Sequence, residues 1–383
     1  MKEICIVGVS GSIGKQTLAV ARRLKDQIKV RSIVAHSSTK EFLEAVREFK
    51  PQYAALVNER AGRKIKGEIP DGVAFAYGES ACLDALLFCE EVVIAVGGFA
   101  GVKYTLEAIR LKKNIALANK ETLVCGGEFI MQKLKESGVR LAPIDSEHSA
   151  IWQALDFDYE KPFRRLILTA SGGPFYHYTK EQLDRVTPYE ALKHPTWKMG
   201  AKISVDSATL LNKGFEVIEA HHLYGAPLSK ISTVVQPESI IHSMVEFEDG
   251  GILAQMSYPS MELPIQLALT YPNRLGCDLA PLDFEKLQTL HFLPLERKKF
   301  PCYHLALCSI EEGDNYPCSL NGAGEVAVKA FLEKKIAFTE IAEVMEDVLS
   351  KTKRRKVNSY DVLFHTDSRA RELAALSVEK RCK

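Results

Sequence analysis

The chain has 383 residues, 50 Lys plus Arg against 49 Asp plus Glu, and 46% apolar residues. That length suggests two or three domains at roughly 150 residues each, and the balanced charge excludes an overall field that draws nucleic acid or an anionic membrane. An anionic ligand therefore has to be held by local groups. Nine scattered cysteines, an odd number with no C-x-x-C pair, argue against a disulfide framework or a thiolate zinc site and for the reducing cytoplasm. The first residues run directly into an apolar strand without the pattern of a signal peptide, and no apolar run approaches the roughly 20 residues that span a bilayer.

Residues 4–7 form a short apolar run, followed by Gly8, Val9, Ser10, Gly11, Ser12, Ile13 and Gly14 and then a helical pattern. Strand, glycine-rich turn and helix start make the opening of a dinucleotide-binding βαβ unit, in which glycines let the backbone approach a pyrophosphate that meets the helix N-terminus. The spacing is G-x-x-G-x-x-G. The second strand, residues 30–35, ends at His36-Ser37-Ser38-Thr39-Lys40, with no carboxylate before Glu41. An NAD site usually has Asp or Glu there, so the strand end leans towards NADP. Further strands at 53–57, 73–76, 92–96, 115–118 and 139–142 alternate with helical stretches, as in a doubly wound sheet. Gly97-Gly98 and Asn119-Lys120-Glu121 follow two of them, where ligands of such sheets sit.

After the strand at 139–142 come Asp145, Ser146, Glu147 and His148, which serve equally well as a helix cap or as metal ligands. Residues 165–170 read as a strand, and Ser171-Gly172-Gly173-Pro174 as a loop able to cradle phosphate oxygens. Residues 188–200 hold His194 and Trp197 between prolines and Gly200, a composition suited to a lid that excludes water. Residues 206–219 read as one amphipathic helix with Ser207 as a possible N-cap and with Thr209, Asn212, Lys213 and Glu216 on one arc. Such a face is in most helices only solvated; here it has the groups to clamp a phosphate and hold a metal.

Alternating runs at 231–235, 239–247 and 251–256, with Glu248-Asp249-Gly250-Gly251 as a turn, look antiparallel. Residues 271–300 look like a linker, and residues from 301 onward show helical periodicity. The expected fold is α/β: an N-terminal Rossmann-type doubly wound parallel sheet over 1–144, a central α+β catalytic domain with a mostly antiparallel sheet over 145–270, including a lid at 188–200, then the linker and a C-terminal helical bundle over 301–383.

Six ordered motifs resemble one family, the 1-deoxy-D-xylulose 5-phosphate reductoisomerases: G-V-S-G-S-I-G from Gly8, L-A-N-K-E from Leu117, P-I-D-S-E-H-S-A from Pro143, A-S-G-G-P-F from Ala170, H-P-T-W-K-M-G from His194, and S-A-T-L-L-N-K-G-F-E from Ser207. The resemblance covers essentially the whole chain. It implies an NADPH- and metal-dependent enzyme of the non-mevalonate isoprenoid pathway, which rearranges and then reduces 1-deoxy-D-xylulose 5-phosphate to 2-C-methyl-D-erythritol 4-phosphate. Both a retro-aldol/aldol route and an α-ketol shift remain open for the rearrangement.

The resemblance further implies Asp145, Glu147 and Glu216 as ligands of a divalent cation; an all-carboxylate set suits a hard ion, Mg²⁺ or Mn²⁺. Ser171, Ser207, Asn212 and Lys213 would hold the substrate phosphate, with His194 closing against it. Lys120, Ser146 and Glu147 would address the reacting oxygens, Trp197 would cover the substrate, and Ser239 would be a further contact. Gly8, Ser10, Gly11, Ser12, Ile13, Gly14, His36, Ser37, Ser38, Asn119, Glu121 and Gly200 would line the NADPH site. The implied assembly is a homodimer acting on a sugar phosphate, with neither nucleic acid nor membrane as partner.

Two places depart from the family pattern. His36-Ser37-Ser38 stands where members commonly have Gly, a basic residue and Asn, and Asn321-Gly322-Ala323-Gly324-Glu325 has glycines expected to loosen a helix start. Two rival readings share the N-terminal domain. A simple NADP-dependent dehydrogenase of a phosphorylated carbonyl compound needs no three-carboxylate set, and a nucleotide-sensing regulator needs no phosphate site.

Overall fold

The apolar run that opens the chain is a strand buried on both faces, with Ile4, Cys5, Ile6 and Val7 wholly shielded from solvent. Such runs belong to parallel sheets covered by helices on each side. The computed structural model describes residues 1–197 and 199–382. Lys198, in the expected lid, and Lys383, at the end of the expected helical region, lie outside the described residues. The chain divides into two units, one comprising Met1–Asn119, Ile130–Ser149 and Ser260–Leu279, the other Lys120–Phe129, Ala150–Pro259 and Ala280–Lys383.

The first unit contains β1 (Lys2–Val7), β2 (Ile28–Ala35), β3 (Tyr53–Leu56), β4 (Ala74–Tyr77), β5 (Glu91–Ile94), β6 (Asn114–Leu117) and β7 (Leu141–Pro143). Among the described residues they form one sheet in the order β4-β3-β2-β1-β5-β6-β7, every neighbouring pair parallel. The order reverses between β1 and β5, so the glycine turn after β1 and Gly97-Gly98 after β5 open at the switch point where dinucleotides bind in such sheets. The expected Rossmann-type sheet is therefore present. The segment 260–279 returns to this unit, where Arg23 holds it by donating to Glu262 Oε2 at 2.9 Å and to Gln266 Oε1 at 2.7 Å.

The second unit contains β8 (Arg165–Ala170), β9 (Ile231–Val235), β10 (Ile241–Glu246), β11 (Ile252–Met256) and β12 (Leu293–Pro294). Their order among the described residues is β11-β10-β8-β9-β12. Three of the pairings are antiparallel, as expected, while β8 and β9 pair parallel. The expected linker at 271–300 is not a plain connection: it forms a short helix, Phe284–Leu287, and contributes β12 to the sheet edge. Ser239, expected inside a strand, lies in the turn before β10.

The single helix expected at 206–219 is two helices, Ala201–Ala208 and Leu211–Leu223, joined through Leu210 in the left-handed region at φ 57°. Ser207 thus sits in the last turn of the first helix and is not an N-cap. The cause is local: the Thr209 hydroxyl lies 3.0 Å from the Val205 carbonyl and 3.2 Å from that of Asp206, and it also meets the Leu211 amide. A threonine side chain that engages backbone groups this way competes with the helical ladder.

Helices of the C-terminal region pack with the Leu211–Leu223 helix in one core that includes Leu211, Phe215, Ile218, Cys302, Ala306, Leu320, Phe331, Ile341 and Met345. The glycines at 322 and 324 do not loosen a helix start; they lie inside the helix Tyr316–Leu332. A Cβ on Gly322 would stand 3.1 Å from both the Ala370 Cβ and Asp367 Oδ1, so its absence lets the last long helix, Tyr360–Arg381, come close. Gly214 has the same function under the site helix: a Cβ there would lie 2.5 Å from the Ala306 Cβ on the helix Pro301–Glu312. Gly214→Ala is therefore expected to destabilise the protein by about 1–3 kcal/mol through overpacking. Thermal unfolding of wild type and variant, measured side by side, checks this.

Candidate active site

In the first unit the glycine turn is shaped for an anion. Gly8 has φ 95°, and a Cβ on it would lie 2.6 Å from the Ala95 carbonyl oxygen, so a side chain is excluded on conformation and on space. The Gly11 amide closes the turn onto the Gly8 carbonyl at 3.0 Å. The helix Ser12–Arg23 then starts without a side-chain cap and without an acidic residue in its first turn. Its leading amides and the positive end of its dipole are those that bind phosphate in nucleotide sites. Ser10, Ser12 and Ile13 sit on this turn with Gly14 buried behind them.

At the carboxyl end of β2, His36, Ser37 and Ser38 are all exposed. The nearest carboxylate in sequence, Glu41, faces Lys15 at 3.7 Å. Asn119, buried at the end of β6, donates to the Gly98 carbonyl at 3.0 Å and so ties the two strand ends of the switch region. Beyond β7, Asp145, Ser146 and Glu147 occupy the start of the helix Ser146–Ala154, where the Ser146 hydroxyl donates to Glu147 Oε2 at 2.5 Å.

In the second unit the polar face of the Leu211–Leu223 helix is buried, not solvated. Lys213 is 4% exposed and Glu216 1%. Glu216 Oε1 accepts from Lys120 Nζ at 3.1 Å and from Asn212 Nδ2 at 2.5 Å, and Oε2 accepts from Lys213 Nζ. Two ammonium groups and one carboxamide thus meet this buried carboxylate. Glu121 lies one residue from Lys120 and faces Lys202 at 3.7 Å, while Lys202 donates to Asp206 Oδ2 at 2.6 Å. Burial raises the Asp206 pKa, with the Lys202 ammonium acting in opposition. Gly200 is the exposed N-cap of the helix that carries Lys202, Asp206 and Ser207.

A second cluster joins three neighbouring segments of the chain, 23 and 13 residues apart. His194 Nε2 lies 3.0 Å from Ser171 Oγ and 3.1 Å from Ser207 Oγ. On the other side of the ring, Nδ1 accepts from the Trp197 amide at 3.0 Å and from the Thr196 amide at 3.3 Å. Those two donors require a bare Nδ1, so the proton of the neutral imidazole is on Nε2, facing the hydroxyls. Burial pushes the His194 pKa down to about 4, which keeps the ring neutral near pH 7. Two hydroxyls and a neutral N–H at one point make a donor set for an anion.

Two residues beside these, His242 and Gln236, had no signal as site residues in the sequence. Thr196 Oγ1 lies 3.3 Å from Ser239 Oγ, placing the lid segment against the turn before β10. His242 in β10 stands edge-on to Trp197 with ring centroids 6.1 Å apart, its Nε2 lying 3.1 Å from the Ser257 carbonyl. Gln236 is wholly buried behind Ser239. Strand alternation is all the sequence showed of His242, and Gln236 falls between two of the alternating runs.

Among the described residues no helix is long and apolar enough to cross a membrane. Family models described as 1-deoxy-D-xylulose 5-phosphate reductoisomerase and as its C-terminal domain match residues 4–127 and 141–224, and a DXP reductoisomerase C-terminal domain model matches residues 256–373. The chain is 44% identical to the 1-deoxy-D-xylulose 5-phosphate reductoisomerase of Caldanaerobacter subterraneus subsp. tengcongensis over 374 residues, covering 97% of this chain and 98% of that protein. It is also 44% identical to the Clostridium perfringens enzyme of the same name over 381 residues, with the same coverages. Its fold superposes on the Zymomonas mobilis reductoisomerase in complex with NADPH at a TM-score of 0.92, with 38% identity and 99% of each chain covered. A DOX-P reductoisomerase in complex with NADPH, fosmidomycin and magnesium superposes at 0.93, with 33% identity, covering 99% of this chain and 98% of that one. On identity that extends over nearly its full length, joined to the turn and donor clusters described above, the chain belongs to the 1-deoxy-D-xylulose 5-phosphate reductoisomerase family.

Proposed function

We propose that the protein converts 1-deoxy-D-xylulose 5-phosphate to 2-C-methyl-D-erythritol 4-phosphate, using NADPH and a divalent cation. The observation that carries this reading is the convergence of Ser171, His194 and Ser207, a phosphate-sized donor set that a simple dehydrogenase domain does not need. In this reading residues 1–144 bind the cofactor, 145–270 carry the chemistry and 301–383 support it. NADPH suits the open glycine turn of the first unit and the carboxylate-free strand end at His36, Ser37 and Ser38. A divalent cation suits Asp145, Glu147 and Glu216, because three carboxylates without thiolate or imidazole form a hard donor set.

When bound, the cation supplies Lewis acidity at the ketone and adjacent hydroxyl oxygens, and the nicotinamide supplies the hydride that reduces the rearranged aldehyde. The chain's own residues orient the substrate for those events. Ser171 and Ser207 hydroxyls, with Asn212 and Lys213, take the phosphate, and His194 donates its Nε2 proton to a phosphate oxygen. Lys120 and Ser146 address the hydroxyl oxygens, and Trp197 covers the carbon skeleton and keeps water out. Gln at 216 would keep the volume while removing the charge. Glu216→Gln is expected to lower kcat/KM by more than the roughly 10- to 100-fold that loss of an outer-shell partner costs. Chelation should abolish NADPH oxidation until Mg²⁺ or Mn²⁺ is restored; turnover of 1-deoxy-D-xylulose 5-phosphate that survives rigorous chelation would favour the simple dehydrogenase instead.

The His194 geometry makes a pH statement. Its folded pKa of about 4 lies below the ordinary 6.5, so the unfolded chain takes the proton first as pH falls. The stability it contributes is complete above 6.5 and is lost from there towards 4. Thermal midpoints measured across that window should fall less steeply for His194→Gln, whose amide nitrogen stands near the Nε2 position. The same variant should retain more kcat/KM than His194→Ala, for which a loss of about tenfold or more is expected.

A homodimer in the reducing cytoplasm completes the proposal. The nine cysteines are all free thiols. Strand β11 is an edge of its sheet, with Ile252 50% and Leu253 51% exposed, an apolar edge of the kind that proteins cover. Light scattering on the wild type should give twice the chain mass, and Leu253→Lys should shift it towards the monomer.

A further inference from the structure

Ser239 is a non-glycine residue at φ 54°, buried to 7% exposure, and it stands beside the lid segment through Thr196. A left-handed serine persists only where its surroundings impose the conformation. Gln236 supplies those surroundings. Its backbone amide donates to the Ala170 carbonyl at 2.7 Å, one residue before Ser171, and its carbonyl accepts from the Ser239 amide at 3.1 Å. Its side-chain Oε1 accepts from the Ile240 amide at 2.9 Å and the Ile241 amide at 3.3 Å, and its Nε2 donates to Glu238. One buried carboxamide thus closes the whole turn. Glu238 is in turn held by His291 Nδ1 at 2.6 Å, so the turn is also braced from outside.

We infer that Gln236 is a positioning residue for the reaction: it fixes the left-handed turn that presents Ser239 to the substrate and to Thr196 of the lid segment. The inference rests on the reading of Ser239 as a substrate contact. Among the described residues Gln236 hydrogen-bonds to neither the lid segment nor the Ser239 hydroxyl; it acts through the turn it closes. Without the two bonds to Oε1 the amides of residues 240 and 241 lose their acceptor, and residue 239 relaxes towards the extended region that serine prefers. Ser171 is held separately by β8, so the expected loss falls on one contact and not on the whole phosphate cluster.

A double-mutant cycle on the full-length enzyme with NADPH and Mn²⁺ tests this. Gln236→Met is expected to raise KM for 1-deoxy-D-xylulose 5-phosphate about tenfold, with kcat nearly unchanged and KM for NADPH unaffected. In a Ser239→Ala background the same substitution should raise KM no further. An equal rise in both backgrounds, or no rise in either, overturns the inference. If Ser239→Ala alone leaves KM unchanged, the reading of Ser239 fails first, and that result is separate from the Gln236 comparison. Should Gln236→Met not fold, Q236E/E238Q exchanges amide and acid while keeping an oxygen for the Ile240 and Ile241 amides. That variant should have a KM near wild type, and a raised KM in it overturns the inference as well.

Discussion

A single buried carboxylate, that of Glu216, sets the terms for the second unit. Moving such a group out of water costs several kcal/mol unless it is paired, and taking away one partner of a buried pair costs about 3–5 kcal/mol. Lys213 lies within the same helix, but Lys120 comes from nearly a hundred residues earlier, and its Nζ is 3.1 Å from Glu216 Oε1. The need to neutralise Glu216 is therefore a folding constraint: the helix start at Lys120 has to dock beside the helix Leu211–Leu223.

The break at Leu210 is the second constraint. On one continuous helix, residues 207 and 216 would be separated by about 13.5 Å along the axis and by about 180° around it. Two helices meeting at a left-handed leucine let the Ser207 hydroxyl turn towards His194 while Lys213 and Glu216 remain on the buried side of the next helix. Gly214 then allows that second helix to lie close against the helix Pro301–Glu312. The C-terminal helices contribute no residue to the proposed chemistry, yet they hold the helix that does.

Where the sequence was legible, the reason is periodicity and punctuation. The β-branched run at residues 4–7 with its glycine turn has few other uses than the first βαβ unit of a doubly wound sheet. The motifs around Asp145, Ser171, His194 and Ser207 carry suitable residue types, but their roles came only from the resemblance of the ordered set to one family. What escaped lacks a local mark. Leu210 takes a left-handed conformation with no Gly, Asn or Pro to announce it. Lys213 and Glu216 are residue types that ordinarily face water, so their burial shows only after packing. The parallel pairing of β8 with β9 depends on strands some sixty residues apart, which alternation cannot register. Gly322 was misleading in the other direction, because a residue that weakens isolated helices was kept for the close approach of a neighbouring helix.

His194 joins the geometry of the lid segment to its chemistry. The turn from Thr196 to Trp197 spends its two amides on Nδ1, which shapes the loop and at the same time fixes the proton on Nε2. An imidazole in solvent would titrate near 6.5, within the range where cellular pH moves, and its grip on a phosphate would vary accordingly. In the folded turn burial holds it neutral, so the donor it presents does not change over that range. Unfolding removes both amides and returns the ring to water, where it regains its ordinary proton affinity. The formed turn and the neutral donor therefore go together: between pH 6.5 and about 4 the ring is neutral in the folded chain and protonated in the unfolded one.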